Sequence, residues 1–338
     1  MRQTQSMKGL LLALILLTSC GAAVPSQTPK PAEAVQTPAP PAPKTVDAAR
    51  LLEDVRVLSA DAMEGRRTGT QGGAMARAYV ARRFADAGLK PLGASFEQEF
   101  RLPVGGEGKG AGRSGVNLVG YVQGRTHPER FIVVTAHYDH LGVRDGVIYN
   151  GADDNASGVA VLLQLAARFG VERGERRPEN SIIFAALDAE ELGLLGARAL
   201  VRRLKAEKRA LSLNVNLDMV GRSERGELYA AGTHHTPALR PVLERVAARA
   251  PVKLLLGHDR PEQGKDDWTS QSDQFAFHRA GVPFVYFGVE DHGDYHKPTD
   301  DFSALTSDFF LHAAETILDA LETLDAELAS ARKLKRDG

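Results

Sequence analysis

The chain is predicted to fold as a single α/β domain, a mostly parallel mixed sheet with helices on both faces in three α/β/α layers. Three observations predict it. Strand-like runs recur at residues 131–136 (FIVVTA), 181–187 (SIIFAAL), 211–217 (LSLNVNL) and 283–287 (PFVYF), the first of them apolar and largely β-branched. That is how strands buried on both faces read. Segments with helical spacing lie between them, at 156–169, 192–205 and 237–249, so strand and helix alternate as in a parallel sheet. Finally, each run is followed by ionisable side chains, and in an open parallel sheet the carboxyl ends of the strands share one edge, where ligands bind.

The N-terminus reads differently. Residues 1–20 (MRQTQSMKGLLLALILLTSC) carry Arg2 and Lys8 before an apolar stretch at 9–17, too short to span a bilayer and typical of an export signal. Residues 17–20 (LTSC) resemble the lipobox of bacterial lipoproteins. This implies cleavage before Cys20, a lipid on its thiol and membrane attachment through that lipid. Gly21 rather than Asp at the next position implies sorting to the outer membrane, facing periplasm or surface. The alternative is an ordinary signal peptide cut near Ala22 and Ala23. Residues 21–45 are rich in Pro, Ala and Thr, cannot bury a core and form a tether. The folded domain is expected over 46–330, followed by a solvated basic tail at 331–338.

Within the domain, Leu51, Leu52, Val55 and Leu58 place a helix over 46–58, and Tyr79, Val80 and Phe84 place another over 74–87, stopped by Gly88. The intervening EGRRTG (64–69) reads as a loop, for which a solvated turn with two glycines is a sufficient account. Residues 96–102 and 117–123 are strand candidates separated by a flexible Gly/Lys/Arg loop at 105–115. Short strands are expected at 227–231 and 252–256, and a long amphipathic helix at 305–328. The polar, irregular 257–271 is a candidate lid or pocket rim.

Composition excludes several roles. Net charge is -1 over 338 residues, so no basic excess points to nucleic acid. Cys20 is the only cysteine. No intrachain disulfide can form, and any zinc held by the domain must sit on His and carboxylate groups.

Those groups are placed suggestively. His137 and Asp139 close the first run. Glu190 and Glu191 follow the second, Asp218 the third, and His296 the fourth. Asp154 lies in a loop returning to the same edge. Taken singly, Glu190 and Glu191 could complement a helix dipole, Asp154 and Asn155 could cap a helix, and Asp218 could be a paired core carboxylate. Jointly those readings leave His137 and His296 unexplained. Buried imidazoles and carboxylates are costly without partners, and a metal ion would partner all of them.

The motifs HYD (from His137), GADDNASG (from Gly151), Glu190-Glu191, NLDM (from Asn216) and DYHKPTD (from Asp294), in this order, resemble those of metallopeptidase family 28. These are co-catalytic two-zinc aminopeptidases similar to secreted bacterial leucyl aminopeptidase, and the resemblance runs from about residue 46 to the last helix. It implies a zinc-exopeptidase-like fold, two Zn2+ ions per chain and peptide substrates hydrolysed at the N-terminus. By the same resemblance Asp154 bridges both ions, His137 and Asp218 complete one site, and Glu191 and His296 complete the other. Glu190 corresponds to the general base. Asp139 would orient the His137 imidazole, and Asp300 or Asp301 would orient His296. A cis peptide is implied between Asp154 and Asn155. The leucyl-type relatives also place a tyrosine near the SD motif, and residues 268–273 have none. Asp273 then reads as a supporting acid. Arg222 could face substrate or pair with a carboxylate, and His140 could contact either. Alternatives on the same scaffold are a carboxypeptidase, a dipeptidase, a glutaminyl cyclase or a non-catalytic zinc-binding lipoprotein.

Overall fold

The computed structural model describes residues 46–103, 114–170 and 177–330, all within the unit Pro40–Gly338. The expected export signal with Cys20, the tether, the basic tail and most of the 105–115 loop lie outside the described residues.

The chain opens with α1 (Ala48–Leu58) and α2 (Gln71–Asp86), capped by the side chains of Asp47 and Thr70, which accept from Arg50 N and Gly73 N. Such caps satisfy amides that a helix start leaves without partners. Four strands follow: β1 (Lys90–Pro91), β2 (Glu97–Arg101), β3 (Ser114–Val122) and β4 (His127–His137). A small hairpin, β5 (Gly142–Arg144) and β6 (Val147–Tyr149), precedes α3 (Gly158–Gly170). Then come β7 (Asn180–Leu187), α4 (Leu195–Ala206), β8 (Ala210–Leu217), β9 (Glu227–Ala231), α5 (Arg240–Ala247) and β10 (Lys253–Leu256). The chain closes with α6 (Gln274–Arg279), β11 (Phe284–Gly288) and α7 (Ser307–Ser330).

The main sheet has the order β1-β3-β7-β4-β8-β11-β9-β10, with β2 also paired to β3. Its centre, β7-β4-β8-β11, is parallel throughout; β3 joins β7 antiparallel and β9 joins β11 antiparallel. The sheet is therefore mixed with a parallel middle, as the sequence predicts.

Side-chain alternation explains why it is covered on both faces. In β4, Ile132, Val134 and Ala136 enter the larger core, and Phe131 and Val133 enter the other. In β7, Ile182, Phe184 and Ala186 oppose Ile183, Ala185 and Leu187 in the same way. The larger core is closed by Leu51 and Val55 of α1, Val80 and Phe84 of α2, Val159 and Leu163 of α3 and Phe310 and Ile317 of α7. The smaller is closed by Ala197, Leu200 and Leu204 of α4 and Phe277 of α6. A strand buried on both faces is apolar at most positions, which makes the central strands legible; in β8 the amides of the buried Asn214 and Asn216 donate to Val133 O, Thr135, Ser272 and Gln274.

Three elements escape the sequence pattern. The hairpin β5–β6 occupies what reads as a Gly-rich turn; Val143 and Val147 are exposed, so no apolar face marks it. Helix α6 has six residues, too few for a periodicity. Strand β1 has two residues. Among the described residues no helix is long and apolar enough to cross a membrane.

Candidate metal centre

Four parallel neighbours end at one edge, and each delivers its ionisable group there. His137 is the last residue of β4. Asp218 follows β8, Glu190 and Glu191 lie just past β7, and His296 lies past β11. Two residues past β7 and β8 the backbone turns left-handed, with φ values of 60° at Ala189 and 55° at Met219, and His296 itself has φ 55°. Such left-handed conformations at non-glycine residues cost of order 1–3 kcal/mol each and cluster at functional sites.

Asp154 comes to the edge from the loop before α3. Asn155 fixes that loop to the end of β8: its amide donates to Leu217 O (2.9 Å) and accepts from Met219 N (3.2 Å). Asp300 holds the loop from the other side, accepting from Asp153 N (2.9 Å) and Asp154 N (3.0 Å). The Asp154–Asn155 peptide is cis, as the resemblance implied.

The Asp154 carboxylate faces two clusters at once. Its Oδ1 lies 3.4 Å from His137 Nε2, which is itself 3.2 Å from Asp218 Oδ1. Its Oδ2 lies 3.1 Å from His296 Nε2 and 3.6 Å from His140 Nδ1. Glu191 reaches the second cluster, with Oε2 3.6 Å from His296 Nε2 and Oε1 2.8 Å from His140 Nδ1. All five residues expected as ligands, His137, Asp154, Glu191, Asp218 and His296, therefore meet. Glu190 lines the same cleft, which has a volume of about 580 Å³.

The electrostatics describe a pocket short of positive charge. Burial pushes the Glu190 carboxyl well above its ordinary range, and it raises Asp218 despite His137 beside it. Asp154 goes the other way. Burial opposes its ionisation, but His140, His137 and His296 together hold it well below the usual carboxylate range. His137 is buried, which disfavours its charged form, yet Asp218 and Glu190 draw its pKa well above the ordinary histidine value. Without a metal, protons thus supply the missing charge; metal binding would release them. Glu191 Oε1 and both His140 nitrogens are also buried with no hydrogen-bond partner. Two clusters of nitrogen and oxygen donors and these orphaned atoms fit a pair of zinc ions.

Two expectations need correction. The carboxylate of Asp139 does not hydrogen-bond the His137 imidazole: Nδ1 meets the Asp139 main-chain carbonyl at 3.1 Å, while the carboxylate Oδ1 is 3.8 Å away. That carboxylate instead accepts from Thr68 Oγ1 (3.2 Å) and Glu190 N (3.0 Å). The carbonyl does the expected work, since a proton held on Nδ1 leaves the Nε2 lone pair for a metal. Asp300 does not lie behind His296 but under the backbone of Asp153 and Asp154, and Asp301 accepts from Asn150 (2.8 Å). Residues 268–273 have no tyrosine, but other segments bring phenols to the cleft. Tyr286 of β11 and Tyr295 line the cleft, and Tyr295 stacks on His296 with centroids 4.0 Å apart. Arg222 pairs with Asp294. Asp273 is fully buried, with no hydrogen-bond partner for either oxygen, and burial pushes its pKa up to about 7. The 257–271 segment supplies Trp268, Ser270 and Gln271 to the cleft wall, so it is a pocket rim.

Residues 117–321, more than half of the chain, match Peptidase family M28. The chain belongs to this family. Among its relatives, a probable zinc metalloprotease of Leptosphaeria maculans is 40% identical over 117 residues, 33% of this chain and 26% of the relative. Aminopeptidase NAALADL1 of Rattus norvegicus is 33% identical over 138 residues, 38% of this chain and 17% of the relative. These matches span only a minor part of either relative. The solved structure of BSAP, a zinc aminopeptidase from Bacillus subtilis, shares the fold, with a TM-score of 0.65 at 19% identity over 83% of this chain and 95% of that one.

In this M28 chain the loop 64–69, for which a solvated turn was a sufficient account from sequence, turns Arg66 inward against the loops that carry the site. Arg66 is fully buried. Its guanidinium donates to the carbonyls of Leu58, Tyr138, Asn150, Gly151 and Asp154. It thereby ties the loop after β4 to the loop that carries Asp154. Burial lowers its pKa to about 10, still charged at neutral pH, and the nearest carboxylates, Asp154 and Asp300, oppose the loss of that charge. Gly65 admits the turn: at φ +63° a Cβ there would sit 2.3 Å from Tyr149 O. Thr68 adds a hydroxyl between two carboxylates, 2.8 Å from Asp188 Oδ1 and 3.2 Å from Asp139 Oδ2, with one proton to share between them. The only sequence signal was the glycine pair flanking two arginines, which a solvated turn also carries.

Orphaning a buried acceptor costs about 1–3 kcal/mol. Arg66→Met, which keeps the stem and removes the donors, is expected to lower stability in urea unfolding by more than about 3 kcal/mol. A loss below about 1 kcal/mol would show that the guanidinium does not hold these loops together.

Proposed function

We propose that the chain is a two-zinc aminopeptidase that releases N-terminal residues from peptides. The observation that carries this reading is the Asp154 carboxylate, whose two oxygens face separate donor clusters beside Glu190. His137, Asp218 and Asp154 Oδ1 would hold one ion; Glu191, His296 and Asp154 Oδ2 would hold the other. When bound, such a pair polarises the scissile carbonyl and lowers the pKa of the attacking water.

The remaining work falls to the chain. Glu190 accepts the proton of the attacking water on a carboxylate oxygen, and its buried position, which raises its proton affinity, suits it to pass that proton on. The C–O bond forms, the C–N bond breaks, and the proton goes to the departing amine. Asp139 fixes the Glu190 backbone through Glu190 N, a positioning role rather than a catalytic one. Tyr295 presents a phenol to the cleft, and burial together with Asp154 and Asp218 keeps that phenol protonated, so it can donate a hydrogen bond to a developing oxyanion.

Asp154, Glu191 and Asp218 would be engaged by the two ions. Asp291 is a cleft carboxylate that holds no ion in this reading, and it is a suitable partner for the free α-ammonium group of a substrate. The aminopeptidase name of the rat relative supports the same reading.

For the chain's location we propose export and attachment to the cell envelope by a lipid on Cys20, resting on the LTSC motif and the apolar stretch before it. Radiolabelled fatty acid fed to expressing cells should mark the protein and not its Cys20→Ser variant; an unlabelled protein would end this part of the proposal.

A panel of aminoacyl anilides beside their N-acetyl counterparts tests the activity. Free-amine substrates should be cleaved and blocked ones spared, with activity lost to a chelator and restored by zinc. Release of C-terminal residues from blocked peptides, or cyclisation of N-terminal glutamine without hydrolysis, would contradict the proposal. Glu190→Gln should lower kcat by roughly 10²–10⁴-fold or more with metal content unchanged, whereas Asp154→Ala should lose metal and activity together. Undiminished turnover in Glu190→Gln would remove it from this role.

A further inference from the structure

The second donor cluster contains one group more than the proposed ligand set uses. His140 follows His137 by three residues and sits 1% exposed against the metal edge. Its Nδ1 lies 2.8 Å from Glu191 Oε1 and 3.6 Å from Asp154 Oδ2. Despite that proximity neither Nδ1 nor Glu191 Oε1 makes a hydrogen bond. The two atoms approach each other without the alignment that a hydrogen bond requires. A buried polar atom without a partner is uncommon and calls for an explanation such as an ion.

The spacing is that of donors around a common ion. With zinc–ligand distances of about 2.0–2.2 Å, neighbouring donors are about 2.8–3.6 Å apart for octahedral through tetrahedral arrangements. The distances from Nδ1 to Oε1 and Oδ2 fall in that range, as do those from His296 Nε2 to Asp154 Oδ2 (3.1 Å) and Glu191 Oε2 (3.6 Å). His140, Asp154 and Glu191 each bring a donor atom within reach of one ion, and His296 Nε2 approaches the same Asp154 oxygen and the other oxygen of Glu191.

The fold also builds room for this ring. Gly151 has φ +58°, and a Cβ there would lie 2.5 Å from His140 Cδ2 and 2.6 Å from Cγ. The imidazole rests against the bare Gly151 backbone, and Arg66 holds that backbone through the Gly151 carbonyl. A ring packed so tightly is a fixed donor rather than a side chain free to turn away.

We infer that His140 is a further protein ligand of the Glu191–His296 metal site, binding through Nδ1. This rests on the two-metal reading above and makes the two sites unequal. The Glu191 side has four protein donors, and the His137–Asp218 side has three. Sites with fewer protein donors keep positions open for water or substrate, so the three-donor site is the more open and exchangeable one.

The test uses the full chain labelled with ¹⁵N-histidine, stripped with chelator and loaded with ¹¹³Cd. One-bond coupling between the two nuclei appears only where a ring nitrogen binds the metal. The expected spectrum has three coupled imidazole nitrogens, two Nε2 and one Nδ1. In His140→Gln the Nδ1 signal should vanish while the two Nε2 couplings remain; should that variant not fold, the wild-type count still decides. Two coupled nitrogens, both Nε2, would overturn the assignment of His140 and leave the two-metal reading standing. No coupled nitrogen at all would overturn that reading itself.

Discussion

The site depends on one carboxylate being read from both sides. Asp154 is buried, yet each of its oxygens has an imidazole within 3.4 Å, His137 at one and His296 at the other. Around it Asp139, Glu190, Glu191 and Asp218 approach the same edge. Packing this much negative charge away from water is unfavourable unless cations accompany it. Arg66 supplies one permanent positive charge from below. The imidazoles supply charge by holding protons, and the displaced pKa values of Asp154, His137 and Glu190 register the strain of that arrangement. A pair of dications removes the need for those protons, which links ligand burial, metal affinity and pH in one balance.

The scaffold imposes this concentration of charge through its topology. Strands β7, β4, β8 and β11 are neighbours and parallel, so residues separated by up to about half the chain in sequence arrive at one rim. The helices on both faces seal the strands below the rim, and ionisable groups emerge only where the sheet ends. Polar side chains then tie the rim together: Asn155 to β8, Asp300 to the Asp154 loop, and Thr68 to both Asp139 and Asp188.

The parts that sequence made legible share a physical cause. The central strands are buried on both faces and read as mainly apolar runs, with Asn214 and Asn216 of β8 among the exceptions, so a His or Asp at the end of each stands out. Four of the five residues expected as metal ligands stand out this way, and Asp154, in a loop returning to the same edge, stands out with the family's motifs. What was not legible depends on direction rather than residue type. Arg66 lies in a Gly-rich loop, and nothing in EGRRTG says that one arginine turns inward while its neighbour does not. The aspartate of HYD was expected to orient His137 with its carboxylate, but the main-chain carbonyl does so and the carboxylate faces Glu190. Tyr295 was overlooked beside His296 because the expected phenol belonged to another segment. His140 could be placed beside the site but not aimed, because the ring's orientation depends on the space left by Gly151.

Anomalous diffraction at the zinc edge from zinc-loaded crystals tests the central claim most directly. The account requires two peaks per chain, one on each side of Asp154 and about 3.5–4 Å apart, with Oδ1 nearest one and Oδ2 nearest the other. A single peak, or peaks out of reach of the Asp154 oxygens, would contradict it.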